Sequence, residues 1–402
     1  MKVAIINPPY PLEEAPSPPL GVCYVAGACI EAGCEVRIFD YLVCKYTPEK
    51  LTAAIDAFAP DVIGSTSVTM NFKAAAEIVT TAKRHKPEVI TMMGGPHVSF
   101  DWQNTLADYP EIDLIVLGEG EQTLKELLPC IQDRDAWGDV PGLAFRQDGR
   151  IVTTGARPFI TDLDSLPVPA RHLLPMSRYL ALGFPVSIIT SRGCPNQCIF
   201  CLGRRMVGHK VRYRPPSLVV DEIEDILSYG FTRINIADDL FTSNKQRVAA
   251  FCEELKRRDI KITWTAFARV NTVDPEVLSM MRGAGCDCIS FGIESGNQEM
   301  LKRVKKGITL EQARRAVAYC KEAGIGAHAS FMVGLPGESP ETINDSSVFA
   351  ESLDIDYGYH LLAPFPGTTV REELSNYDIT ILTDDWDLYD ANVPVVCTSG
   401  LT

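Results

Sequence analysis

The stretch Ser191-Arg192-Gly193-Cys194-Pro195-Asn196-Gln197-Cys198-Ile199-Phe200-Cys201 decides the reading of this chain. The residues just before it, Val186 to Thr190, are mostly β-branched and read as a strand, which puts the three cysteines on a strand-end loop. Their spacing is C-x3-C-x2-C. Structural zinc normally takes four protein ligands, yet no fourth cysteine lies nearby and His209 is the one histidine within reach. Three thiolates on a tight loop suit a [4Fe–4S] cluster with one iron left open to a small ligand.

Downstream of the loop the pattern alternates between strand and helix. Strand cores are expected at Arg233 to Ala237, Ile262 to Ala268, Cys288 to Ile293, Ala327 to Val333 and Tyr357 to Leu362. Helices are expected between them at Ser217 to Ser228, Lys245 to Arg258, Pro275 to Gly283, Leu310 to Ala323 and Pro340 to Leu353. With the first strand this makes about six β/α units, a partial (β/α)6 version of the eight-stranded TIM-type barrel, whose sites sit at strand carboxyl ends. Unusual residues occupy those ends: Ala237-Asp238-Asp239, Arg269, Glu294 within Phe291 to Ser295, and Gly334-Leu335-Pro336-Gly337-Glu338. Each also has a plain structural reading, as a helix cap, a rim ion pair or a turn.

Upstream, the first 135 residues also alternate, with strand cores at Val3 to Ile6, Val36 to Phe39, Val62 to Gly64, Val89 to Met93 and Leu114 to Leu117. Five strands separated by helical patterns predict a doubly wound, Rossmann-like parallel sheet, an α/β fold with ligands beyond its carboxyl edge. Prolines and glycines then break the rhythm, and Gly142 to Arg146 with Ile151 to Thr153 reads as a β-hairpin leading into a linker. The expected division is 1–137 for the sheet domain, 138–183 for hairpin and linker, 184–375 for the barrel and 376–402 for a short extension. The segments Phe365 to Thr368 and Trp386 to Tyr389 are read either as lining the barrel mouth or as covering its bottom.

The composition narrows the class. The chain has 402 residues and a formal net charge of −14, which argues against nucleic acid as a partner. No apolar run reaches the roughly 18–20 residues that span a bilayer. Met1 to Pro9 reads as a strand ending in prolines, not as a secretory signal, so a cytoplasmic location is expected. Cys23, Cys29, Cys34, Cys252, Cys288 and Cys320 lie in apolar or helical stretches and read as small buried side chains, not disulfides.

The cluster loop and the strand-end residues resemble the radical S-adenosylmethionine (SAM) superfamily over about residues 184 to 375. The resemblance implies that Cys194, Cys198 and Cys201 hold a [4Fe–4S] cluster whose open iron binds SAM. One electron then cleaves SAM to methionine and a 5′-deoxyadenosyl radical. It further implies that Phe200 lies against adenine and that Asp238 or Asp239 takes the methionine ammonium. Glu294 would accept ribose or amino hydrogen bonds, Gly334 and Gly337 would let backbone approach adenine, and Arg269 would neutralise the SAM carboxylate.

The N-terminal segments narrow the resemblance to the cobalamin-binding class of that superfamily. Asn7-Pro8-Pro9-Tyr10, Pro19-Leu20-Gly21, Gly94-Gly95-Pro96-His97 and Leu117-Gly118-Glu119-Gly120-Glu121 carry it. Small and hydroxylated residues, Ser65, Thr66, Ser67, Gly94 and Gly95, are expected to leave room for the cobalamin nucleotide tail. Asn7, Pro8, Pro9, His97, Gly118, Glu119 and Gly120 complete the expected contacts. The Asp-x-His-x-x-Gly motif that supplies a lower cobalt ligand is absent, with Asp40 to Cys44 in its place, and His97 is read as a structural or pocket residue.

This class implies methyl transfer to an unactivated carbon as the leading reaction. The alternatives are a non-methylating reaction such as anaerobic oxidative cyclisation and, in a different class, a non-catalytic cobalamin or iron–sulfur binding protein. The implied partners are a small-molecule or peptide substrate and an electron donor such as flavodoxin or ferredoxin. Methylthiotransferases fit less well, because the N-terminal cysteines do not sit on strand-end loops and the tail after 375 is short and acidic.

Overall fold

The computed structural model describes residues 1–10 and 16–401. They form two compact units, one of residues 1–161 with 165–184 and one of residues 162–164 with 185–401.

The first unit is built on β1 (Lys2–Asn7), β2 (Glu35–Asp40), β3 (Val62–Thr66), β4 (Ile90–Gly94) and β5 (Leu114–Val116), all parallel, in the order β2-β1-β3-β4-β5. Alternation along β1 feeds two separate cores. Val3 and Ile5 join the cluster containing Val22, Ala26, Leu124 and Trp137, while Ala4 and Ile6 join Leu51, Ile55, Phe58 and Ile78. A parallel sheet covered on both faces must be apolar on both, and β1, β3, β4 and β5 are, whereas the edge strand β2 exposes Glu35 and Arg37.

Two further strands, β6 (Leu143–Gln147) and β7 (Arg150–Thr153), form the expected hairpin. It does not stand apart as a linker element. β6 pairs antiparallel with β5, placing Leu114 opposite Phe145 and Val116 opposite Leu143. The reason is the open edge of β5, whose backbone donors and acceptors need a partner.

The second unit carries the all-parallel sheet β8-β11-β12-β13-β14-β15. Its strands are β8 (Val186–Ile188), β11 (Arg233–Ile236), β12 (Thr263–Ala268), β13 (Cys286–Glu294), β14 (Gly326–Val333) and β15 (Asp356–Leu361). The short strands β9 (Ser191–Arg192) and β10 (Arg212–Tyr213) pair antiparallel and brace the two ends of the cysteine loop. Helices cross between successive strands of this sheet, so its six strands are joined by five helical crossovers. Several start where a side chain caps the first turn, as Asp274 does for Val277 at 2.8 Å and Thr309 for Gln312 at 3.1 Å.

The C-terminal segment has no sequence period but is packed. Val370, Ile379, Tyr389, Val395 and Val396 share one core with Ile199 of the cysteine loop and with Leu335 and Leu362, which follow β14 and β15. Trp386 and Phe365 pack against it, so both segments with two open readings lie on the carboxyl-end side of the sheet. Among the described residues no helix is long and apolar enough to cross a membrane, and all cysteines are free thiols.

Candidate functional site

The cysteine loop is shaped by backbone first. Gly193 has φ +112°, and a Cβ there would lie 2.2 Å from the carbonyl oxygen of Lys210, so only glycine lets the loop turn beside β10. The Cys194 N–H donates to the Gly208 carbonyl at 3.0 Å, and the Ile199 N–H donates to Val304 at 3.2 Å. The loop is thus tied to its own return and to the chain after β13.

Each thiol has one N–H donor. Asn196 Nδ2 lies 3.2 Å from Cys194 Sγ, Arg269 Nη1 lies 3.6 Å from Cys198 Sγ, and the Gly203 N–H lies 3.4 Å from Cys201 Sγ. Burial of its sulfur pushes the Cys201 thiol up to about 11 against the Gly203 donor, and the charges of Cys198, Asp239 and Cys194 add to the rise. Iron would therefore have to displace a proton on binding. Among the described residues no three His, Cys, Asp or Glu side chains are gathered for a single metal ion. Three separately supported thiols on one loop fit a multi-iron cluster, and donors to the sulfurs are the means by which proteins tune one.

The two aspartates after β11 have different environments. Asp238 is buried and accepts hydrogen bonds from the Thr190 N–H, the Thr190 hydroxyl and the Ser191 hydroxyl, each at 2.6 Å. Burial pushes its carboxyl up while Ser191 and Thr190 pull the other way. Its oxygens are occupied in holding the start of the loop. Asp239 faces the cysteines: a Cβ on Gly203 would lie 2.7 Å from Asp239 Oδ1 and 3.5 Å from Cys201 Sγ. Its carboxyl is also raised by burial, against hydrogen bonds from Gly193 and its own backbone and the charges of Arg192 and Arg212.

Glu294 ends β13 at a break in register with β14 and has φ +74°, a conformation non-glycine residues rarely adopt. Its buried carboxylate pairs with Lys306 Nζ at 2.6 Å. Lys306 Nζ is also 5.9 Å from the ring centre of half-buried Phe200. Gly292 makes the pairing possible, because a Cβ there would come within 2.4 Å of Glu294 Oε1 and 3.0 Å of Lys306 Nζ. Arg269 Nη2 donates to the Lys306 carbonyl. Cys198, Phe200, Arg269, Glu294 and Lys306 therefore form one connected group. Lys306 and Gly292 were not anticipated from sequence. The signal for Lys306 was electrostatic, since a buried Glu294 needs a cation.

The turn after β14 is closed by a glutamate of the turn itself. Gly334 and Gly337 have φ +88° and +74°, and the Gly334 N–H donates to Glu338 Oε2 at 2.5 Å. A Cβ on Gly334 would lie 3.4 Å from Val396, and the Gly337 N–H donates to the Asp378 carbonyl at 3.1 Å. Gly334 thus lies against Val396 and Leu362, while Gly337 lies against Arg303, whose Nη1 donates to the Gly337 carbonyl at 2.9 Å.

In the first unit the expected contacts gather at strand ends. Asn7 donates to Asp40 at 2.8 Å, the Tyr179 hydroxyl donates to the same carboxylate at 2.6 Å, and Pro8 is buried beside half-buried Pro9. Ser65 is buried and donates to Ile6 at 3.3 Å, whereas the buried Ser67 hydroxyl has no partner among the described residues. Gly94 has room on its side-chain face, with Val116 3.6 Å from a Cβ. Gly95, with φ +101°, is required by the chain itself, because a Cβ would meet the Ser67 carbonyl at 2.5 Å and Thr66 Oγ1 at 2.8 Å. The Gly118 N–H donates to Ser99 at 3.0 Å, Glu119 accepts the Ile160 N–H at 2.8 Å, and Gly120 packs on Val116.

His97 is buried, stacks on Phe72 with ring centres 4.0 Å apart, and is hydrogen-bonded through Nδ1 to Thr69 at 3.2 Å. Its Nε2 lies 3.6 Å from Asp101. Both ring nitrogens face protein groups, as a structural histidine requires. Small residues and an unsatisfied buried hydroxyl at these strand ends fit a cobalamin tail.

Residues 188–350 match the Radical SAM superfamily and residues 14–128 match the B12 binding domain. An uncharacterized methyltransferase of Pyrococcus horikoshii is 35% identical over 98% of this chain and 88% of that protein. The anaerobic magnesium-protoporphyrin IX monomethyl ester cyclase of Rubrivivax gelatinosus is 31% identical over 98% of this chain and 73% of its own length. Among solved structures, the radical S-adenosylmethionine methyltransferase TsrM of Kitasatospora setae shares the fold, with a TM-score of 0.82 at 20% identity over 99% of this chain and 83% of that chain. With a cysteine-bearing barrel and a B12-type sheet in one polypeptide, the protein is an enzyme of the cobalamin-binding class of the radical SAM superfamily.

Proposed function

We propose that the enzyme transfers a methyl group to an unactivated carbon of a small-molecule or peptide substrate. The observation that carries this is a loop of three supported thiols, of which Cys198 is joined to a group holding a buried carboxylate and two buried cations. The 35% identical methyltransferase over 98% of the chain supports the choice of reaction.

When bound, the cluster, SAM and cobalamin supply the one-electron and methyl-carrying chemistry, which protein side chains lack. The chain's residues bind and orient. Cys194, Cys198 and Cys201 hold the cluster at the mouth of the barrel. Asp239, the aspartate that faces the cysteines, takes the methionine ammonium, because an ionised carboxylate pairs with a cation. Glu294 offers its second oxygen to ribose or amino groups while Lys306 holds the first, and Phe200 offers a flat apolar face to adenine. Gly334 and Gly337 present backbone at the end of β14. At the first unit's strand ends, Asn7, Pro8, Pro9, Ser65, Thr66, Ser67, Gly94, Gly95, Gly118, Glu119 and Gly120 surround the cobalamin tail, with His97 shaping the pocket wall. Residues 1–137 are assigned to cobalamin and 184–375 to the cluster. A flavodoxin or ferredoxin is the electron source, and the cytoplasm is the location.

Oxidative cyclisation is the second reading, favoured by the 31% identical cyclase. Product analysis with anaerobically reconstituted enzyme separates the two. A product heavier by one methyl group, with S-adenosylhomocysteine and 5′-deoxyadenosine in equal amounts, is the expected result. Loss of hydrogen without mass gain would establish cyclisation instead. No 5′-deoxyadenosine from fully loaded protein would point to a binding protein.

A further inference from the structure

Arg269, one residue beyond β12, is 8% exposed, and among the described residues no carboxylate pairs with it. A guanidinium taken out of water without a counter-charge is costly. Its donors show where the counter-charge belongs. Nη2 is fixed on the Lys306 carbonyl, which sets the plane of the group, and Nη1 is then directed at Cys198 Sγ, 3.6 Å away. The donors on the other two thiols, the Asn196 amide and the Gly203 N–H, are neutral. Cys198 alone has a cation as its donor.

We propose that Arg269 is a positioning residue for the cluster: it donates to the Cys198 thiolate and favours the reduced state. This rests on the reading that Cys194, Cys198 and Cys201 hold a [4Fe–4S] cluster. Reduction takes one electron from an external low-potential carrier and converts the 2+ cluster to the 1+ state, with no proton or bond transferred. The reduced state carries one more negative charge, so a buried cation with an N–H on one sulfur stabilises it more than the oxidised state. The Nε of Arg269, buried and without a partner, remains for a second anion such as a carboxylate.

The test is a reductive titration of the reconstituted enzyme without SAM, read by the electron paramagnetic resonance signal of the reduced cluster. The wild type is compared with Arg269→Lys, Arg269→Gln and Arg269→Met. The bond strengthens on reduction, so Arg269→Met should lower the reduction equilibrium constant about tenfold, a shift of about 59 mV to more negative potential for a one-electron couple. Arg269→Lys, which keeps the charge, should fall closest to wild type, and Arg269→Gln, which keeps only a donor, should fall between. Unchanged or raised potentials in Arg269→Met would overturn the proposal. So would loss of iron from all three variants, which would make Arg269 an assembly residue. Wild-type protein that holds no cluster would remove the underlying reading, a result distinguishable from either.

Discussion

Asp238 grips Thr190 twice, accepting its backbone N–H and its hydroxyl, each at 2.6 Å. The strand-end acid therefore anchors the start of the cysteine loop from across the sheet. Asp238→Ala would leave those buried donors without an acceptor, at about 1–3 kcal/mol for each group. We expect reduced stability in urea and a lower iron content. Asp239→Ala, which removes an acceptor for Gly193 but none for Thr190 or Ser191, should lose less of both and should weaken SAM binding. Equal effects of the two variants on iron content would contradict this division of labour.

Gly292→Ala tests the Glu294–Lys306 pair without removing either charge. The added methyl would meet Glu294 Oε1 at 2.4 Å, and the end of a side chain can give way where backbone cannot. The variant should fold and keep its cluster, but with the carboxylate displaced its affinity for SAM should drop about tenfold or more. Calorimetric titration with SAM checks it, and wild-type affinity would show that Glu294 is not a contact.

Asp113 gives the first unit a defined acid sensitivity. Burial pushes its carboxyl up, but hydrogen bonds from Lys83, Thr91 and Arg134 outweigh burial and hold it below the usual carboxylate range. With its folded pKa below the unfolded value of about 3.9, its contribution is fully present above that value and is lost as pH falls through the folded pKa. Asp113→Asn should thus be about 2 kcal/mol less stable at pH 7, and the gap should close below about pH 4. Melts of both proteins across that range decide it; a gap that persists in acid would refute the sign.

The stacking of His97 on Phe72 leads to a spectroscopic prediction. The Co(II) form of the cobalamin-loaded enzyme should show no superhyperfine splitting from a protein imidazole. His97→Ala should leave that spectrum unchanged while destabilising the first unit by about 2 kcal/mol through lost packing. Nitrogen splitting that vanishes in His97→Ala would make the residue a cobalt ligand.

Most strands and helices were legible because their cause is local. The apolar run from Val3 to Ile6 and the capped pattern from Leu310 to Ala323 carry their own periods, and both lie within the observed β1 and the helix Leu310–Ala323. The tail after 375 was not legible. Ile379, Tyr389 and Val396 are apolar for the sake of Ile199 and Leu335, residues far away in the chain.

By itself, the sequence determined the cluster loop, the order of strands and helices and the family, since spacing along the chain is all that those require. Only the tertiary structure decided which aspartate holds Thr190 and Ser191 and which faces the cysteines, since neighbours along a chain end up facing different surroundings. It also joined the hairpin to β5 and brought Lys306 to Glu294 and Arg269 to Cys198. These are contacts between residues 12 to 71 positions apart, chosen by backbone edges that need partners and buried charges that need counter-charges.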